Sequence, residues 1–232
     1  MRIGIDAHII LPKHKRYNPK IAQYTEDLIT NVIKEEAVKG HTLVLFFDSR
    51  MEGTDKMKQF EKLFAEQFGK DWKKHVVVKH FPFIQYRKYL PVVYSHMLIS
   101  SFLTGARLNV FHSPEGLIPY VYPGKIVTTF HYVPRGESES GIFVRTFMLG
   151  ARLAFWQLCK RASRIIVNTA EDKKLLMEKH GYPQERIVLM NDEDISKVNW
   201  KKRTKELVKV YEEVGGKKAK AKAKKPKTKS KT

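Results

Sequence analysis

The chain has 232 residues, of which 42% are hydrophobic and 11% aromatic: enough for one large α/β domain or two small ones, and too apolar for a wholly disordered chain. Its 44 Lys and Arg against 24 Asp and Glu give a formal net charge of +20; nine of the lysines fall between Gly216 and Thr232, where no acid occurs, which leaves +11 on residues 1–215. A surface of that sign selects polyanions such as anionic lipid, nucleic acid or phosphorylated substrates, while a single cysteine, Cys159, excludes an intramolecular disulfide and a Cys-rich zinc site and fits a reducing compartment.

In chain order, MRIGIDAHII lacks the long apolar region and cleavage site of a signal peptide, and Arg2 to Ala7 reads as a first strand. Ile21, Tyr24, Leu28, Val32 and Ile33 recur at helical spacing, with Gly40 as the stop. His41 to Phe47 is a second strand, Thr54 to Phe68 a helix and Val76 to Phe81 a third strand. A helix is expected from Tyr86 to Thr104, entered at Pro82 and broken near Pro91. The longest uncharged run, Tyr89 to Ala106, contains Pro91, His96, Gly105 and four Ser or Thr, so it reads as a buried or interfacial helix rather than a membrane span. Leu108 to Phe111 and Lys125 to Phe130 are strands four and five, and Ile142 to Ala162 is a long helix. Arg164 to Asn168 is a sixth strand, Ala170 to His180 a helix, Arg186 to Met190 a seventh strand and Trp200 to Val214 a last helix.

Strands alternating with helices imply right-handed crossovers and a parallel sheet covered on both faces, an α/β fold with a single Rossmann-like doubly wound sheet. In that fold ligands bind beyond the carboxyl ends of the strands. Those ends carry Asp6-Ala7-His8, His112-Ser113-Pro114-Glu115-Gly116, His131-Tyr132 and Asn168-Thr169, so His8, His112 and His131 converge on one rim. Each could equally be a satisfied edge histidine, and their spacing carries no metal-ligand signature, so no metal is expected. Cys159 has no base nearby in sequence and reads as a small buried hydrophobe.

MRIGIDAHII, RYNPKIAQYTEDLI, FHSPEGLIP, KIVTTFHYVP and ASRIIVNTAEDKKLLMEKHGYPQERIVLM follow one another in the order seen in family-4 glycosyltransferases. Residues 1–191 resemble the N-terminal, acceptor-binding domain of those enzymes, which is half of a GT-B fold. The resemblance implies retaining transfer from a nucleotide sugar, with no metal and no other cofactor. It places His131 at the reaction centre, where a neutral imidazole can hydrogen-bond a sugar hydroxyl, and His8, Lys20, Tyr24, His112, Ser113 and Thr169 around the acceptor and donor rim. The chain departs from the family at Tyr132, where an acid is usual, and at Thr169-Ala170-Glu171, where Ser-Glu is usual. The glycine pair of the first loop is replaced by Lys20 and Ala22; Lys20 can offer phosphate a charge, but Asn18-Pro19 also reads as a plain helix cap.

The family's donor domain carries a Glu-x7-Glu pair at a helix start. The formal match here, Glu185 and Glu193, spans a strand and loop and is rejected. Residues 192–199 read as a linker in place of the donor domain, and 200–214 as the returning C-terminal helix, with Trp200, Leu207, Val210, Tyr211 and Val214 as its apolar stripe. The Lys-rich tail, 215–232, is expected to be disordered. The expected function is a glycosyltransferase acceptor domain that is inactive alone or needs a separate donor-domain subunit. The alternative is a non-catalytic module that binds anionic membrane or another polyanion through Tyr86, Arg87, Lys88, Tyr89 and the tail. The tail has no aromatic platform, which argues against sequence-specific nucleic-acid recognition. Either reading puts the chain in the cytoplasm, peripheral on the inner face of the membrane.

Overall fold

The computed structural model describes residues 1–11, 18–82, 92–116, 118–119, 121–133, 160–191 and 197–216. Tyr86, Arg87, Lys88, Tyr89, Cys159, the tail from Lys217 and the expected helix of 142–162 up to Cys159 lie outside the described residues.

Seven strands form one sheet: β1 (Arg2–Asp6), β2 (Thr42–Asp48), β3 (Val76–Phe81), β4 (Val110–Ser113), β5 (Ile126–Phe130), β6 (Arg164–Val167) and β7 (Ile187–Leu189). Their order is β3-β2-β1-β4-β5-β6-β7 and every pair is parallel. This is the Rossmann-like doubly wound arrangement, with its switch point between β1 and β4. Five α-helices are described: α1 (Pro19–Lys34), α2 (Asp55–Phe68), α3 (Val92–Gly105), α4 (Ala170–His180) and α5 (Trp200–Gly215).

Local chemistry sets the helix starts. Asn18 Oδ1 accepts from the backbone N–H groups of Lys20 and Ile21, and Pro19 occupies the first turn of α1. Thr54, Thr169 and Asn199 cap α2, α4 and α5 in the same way. Gly181, left-handed at φ 60°, ends α4 where a Cβ would be strained.

The pleat of β2 shows why the sheet is buried twice. Leu43, Leu45 and Phe47 join a core with α1, α2 and α5, through Leu28, Ile29, Phe60, Phe64, Leu207 and Tyr211. Val44 and Phe46 join a second core with Ile99 and Leu103 of α3 and Leu176 of α4. The unbroken apolar run from Leu43 to Phe47 inside β2 fits a sheet with helices on both faces.

One expected boundary moves. β4 begins at Val110, two residues later than the sequence suggests, because Arg107 takes a left-handed turn at φ 51° after α3. Asn109 then closes against the start of β1: its N–H donates to Arg2 O at 2.9 Å, and its Oδ1 accepts from Arg2 N at 2.6 Å. The shift draws His112 and Ser113 into the strand.

Only residues 190–199 separate β7 from α5, and the described residues hold one sheet. α5 crosses back onto α1: Leu207 and Tyr211 are fully buried, and the half-buried Trp200 ring sits 5.2 Å from that of Tyr24. Removing an indole that packs on the core forfeits a few kcal/mol. Trp200→Ala is therefore expected to lower the melting temperature by about 4–8 °C, measured by calorimetry; an unchanged melting temperature would detach α5 from the domain.

Candidate functional site

Two polar clusters stand at the carboxyl ends of the strands. The first surrounds His131, immediately after β5. Its Nε2 donates to Pro114 O at 2.8 Å, and its Nδ1 lies 3.4 Å from Asn168 Nδ2. Asn168 is buried beyond β6, and its Oδ1 accepts from Arg203 Nη2 at 3.0 Å. The same Nη2 donates to Tyr24 Oη at 2.7 Å, and the Tyr24 ring meets His131 edge-on at 4.6 Å.

These contacts settle the tautomer. Arg203 can only donate, so Asn168 turns its oxygen to Arg203 and its amide nitrogen to His131 Nδ1. Nδ1 is then the acceptor, and Nε2 carries the proton that Pro114 O receives. Burial holds the imidazole neutral: with Arg203 nearby it outweighs the Pro114 carbonyl and lowers the pKa to about 4.

The second cluster lies across the switch point. His8, in the turn after β1, is 2.6 Å from Asp6 Oδ1 through Nδ1 and 3.1 Å from Glu115 Oε1 through Nε2. Burial opposes a charge on His8, but the carboxylates of Asp6 and Glu115 overcome it and push the pKa up to about 10.

The remaining expected site residues fall elsewhere. His112 and Ser113 are fully buried in β4, a correction to the rim position expected of them. His112 Nδ1 is 2.6 Å from Tyr211 Oη and Nε2 is 2.9 Å from Thr129 Oγ1, so both ring nitrogens are satisfied and the side chain ties α5 to the sheet. Burial, then Arg203 and His131, lower its pKa to about 3. Ser113 Oγ has no hydrogen-bond partner among the described residues.

Lys20 is exposed on the first turn of α1. The first N–H groups of α1 are taken: Asn18 accepts from those of Lys20 and Ile21 through its side chain and from that of Ala22 through its carbonyl. Tyr24 is buried between α1, α5 and His131 rather than open on the rim. Thr169 Oγ1 is spent on the cap of α4, accepting from Asp172 N at 3.0 Å and donating to Asp172 Oδ2 at 2.9 Å. Tyr86, Arg87, Lys88 and Tyr89 lie outside the described residues.

The sequence reading missed Arg203, the cation that orders the His131 cluster. Its position three residues after Trp200 and four before Leu207 puts it on the apolar stripe of α5, a signal that was legible and went unread.

No protein-family model matches the chain, and no curated protein matches it. Solved structures are similar to it, among them the following two. A sucrose-phosphate synthase from Thermosynechococcus elongatus aligns over 92% of this chain and 98% of its own, with a TM-score of 0.48 and 10% identity. A glycosyltransferase from Rickettsia africae ESF-5 aligns over 82% of this chain and 42% of its own, with a TM-score of 0.40 and 14% identity.

The depressed histidines give the fold a pH dependence of fixed sign. Below the unfolded pKa of 6.5, the unfolded chain takes up protons that native His112 and His131 refuse down to about 3 and 4, so stability falls as pH falls through that window. His8 is protonated in both states there and adds no slope. Each depressed histidine steepens the loss by about 1.4 kcal/mol per pH unit. Urea unfolding at pH 6 and 5 is expected to show the loss, and His131→Gln to reduce its slope; equal slopes would mean that His131 titrates normally.

Proposed function

We propose that this chain is the acceptor-side half of a retaining, nucleotide-sugar-dependent GT-B glycosyltransferase of family 4, truncated by loss of its donor domain, and that a separate donor-domain subunit completes it. The observation that carries the reading is the neutral His131 at the end of β5, oriented through Asn168 by a buried guanidinium. In the transfer, the bond from the anomeric carbon to the diphosphate oxygen breaks, a bond to the acceptor oxygen forms on the same face, and the acceptor hydroxyl passes its proton to the departing diphosphate oxygen. His131 Nδ1 bears a lone pair and its contact with Asn168 is long, so a sugar hydroxyl can replace the amide as donor.

Two features support assigning the donor side to another chain. The N–H groups of Lys20, Ile21 and Ala22 at the start of α1 are already taken by Asn18 and are not offered to a phosphate. The connection at 190–199 leaves no room for a second α/β domain between β7 and α5.

Calorimetric titration of the purified chain with UDP-glucose, UDP-N-acetylglucosamine, GDP-mannose and ADP-glucose is expected to give no saturable binding and no transfer. Tight binding by the chain alone would overturn the split-enzyme assignment. A panel of mono- and disaccharides is expected to shift the ring-nitrogen NMR signals of His131 but not those of His41. If no sugar shifts the His131 signals, the acceptor site is not there.

A second reading, a non-catalytic module on an anionic membrane, is favoured by one observation. Tyr94, Met97 and Leu98 share the outer face of α3 and are 61, 48 and 40% exposed. No described helix is long and apolar enough to cross a membrane, so the contact would be interfacial. In co-sedimentation with vesicles containing phosphatidylserine, deleting 216–232 is expected to weaken binding but not abolish it. The residue should resist salt and require Tyr94, Met97 and Leu98, because apolar insertion is not screened. Complete loss on tail deletion would leave only a generic polyanion-binding tail.

A further inference from the structure

The Asp6, His8 and Glu115 cluster has chemistry that the transfer reading does not use. Asp6 ends β1, His8 occupies the turn that follows, and Glu115 follows β4, so the three converge from the two strands that flank the switch point. One ligand-type atom from each residue lies within 4.8 Å of the others. The backbone holds the group rigidly: Ala7 N donates to Phe46 O at 2.8 Å, and His8 N donates to Asp6 Oδ1 at 3.2 Å.

A second observation points to a ligand. Asp6 is 1% exposed, and its Oδ2 has neither a hydrogen-bond partner among the described residues nor contact with solvent. It belongs to the carboxylate whose other oxygen touches His8, so the unmet demand sits at the cluster itself. A buried carboxylate oxygen with nothing to accept is costly, and native structures fill such positions. Charge points the same way: two carboxylates face one imidazole, and a proton on His8 still leaves the buried group negative.

We propose that Asp6, His8 and Glu115 form a binding site for one divalent transition-metal ion, with Zn2+ the best fit. Two carboxylates and one imidazole make a mixed oxygen and nitrogen donor set, which suits Zn2+ and Mn2+ and is poor for Mg2+ or Ca2+. The 3.1 Å between His8 Nε2 and Glu115 Oε1 is a spacing that two ligands adopt on one ion at about 2.0–2.2 Å. Asp6 then accepts from His8 Nδ1, as the carboxylate behind a metal-bound histidine does, and its Oδ2 is left to accept from an ion-bound water. The ion would clamp the ends of β1 and β4 together across the switch point. Its three residues are not those that hold His131, so the site holds whether or not the chain transfers sugar.

The experiment uses the full chain, stripped with chelator and titrated separately with ZnCl2, MnCl2 and MgCl2 by calorimetry, with native mass spectrometry for stoichiometry. One Zn2+ per chain at micromolar affinity, weaker Mn2+, no Mg2+ and a higher melting temperature with Zn2+ are expected. Glu115→Gln and Asp6→Asn should each weaken Zn2+ binding about 10–100-fold. Glu115 is less buried than Asp6, so Glu115→Gln keeps the test open if Asp6→Asn does not fold. Absence of Zn2+ and Mn2+ binding up to millimolar concentration would overturn the proposal and leave a protonated histidine bridging two carboxylates. Unchanged affinity in a folded Glu115→Gln would also overturn it, since the ion would then sit on other histidines.

Discussion

A guanidinium inside a hydrophobic interior is the contact around which this end of the molecule is arranged. Arg203 enters from α5 and is almost completely buried, and moving such a charge out of water costs several kcal/mol unless hydrogen bonds replace the lost solvent. Tyr24 Oη and Asn168 Oδ1 accept from it, and the Tyr24 ring lies 5.5 Å from the guanidinium carbon in a cation–π contact. Those acceptors come from α1 and from the end of β6, so α5 cannot shift without stranding the charge. The orientation of Asn168, and through it the tautomer of His131, follows from the fact that arginine can only donate.

The two polar clusters respond to the same burial in opposite directions. His8, among carboxylates, is driven to bind a proton; His131 and His112, near Arg203, are driven to refuse one. The rim is thus divided: acidic demand at the switch point between β1 and β4, and neutral imidazole beside fixed positive charge at the ends of β5 and β6.

Much of this was readable along the chain. The strand and helix order emerged from period and punctuation, with Val76 to Phe81 and Ala170 to His180 bounded as they are in the structure. Asn18-Pro19 announced a cap, and that cap takes the first N–H groups of α1. β4 was displaced because a left-handed Arg107 has no apolar signature, and that slip turned His112 and Ser113 from expected rim residues into core. Arg203 went unnoticed because a lysine-rich helix hides one more cation, although its phase placed it on the buried stripe. Asp6 and Glu115 are 109 positions apart, and no local pattern joins them.

By itself the sequence determined the parallel α/β class, because short, largely apolar strands alternating with amphipathic helices bury both faces of one parallel sheet. It also determined the caps and stops, which depend on a few adjacent residues. Only the tertiary structure decided which polar side chains meet. His8 keeps its proton beside Asp6, two residues away, and Glu115, which the fold brings in after β4, whereas His131 is held neutral by burial beneath Tyr24 and by an arginine delivered by the last helix. Local periodicity encodes which face of an element is buried; the charge state of a group depends on what the rest of the chain brings within a few ångströms of it, and that is a property of the assembled fold.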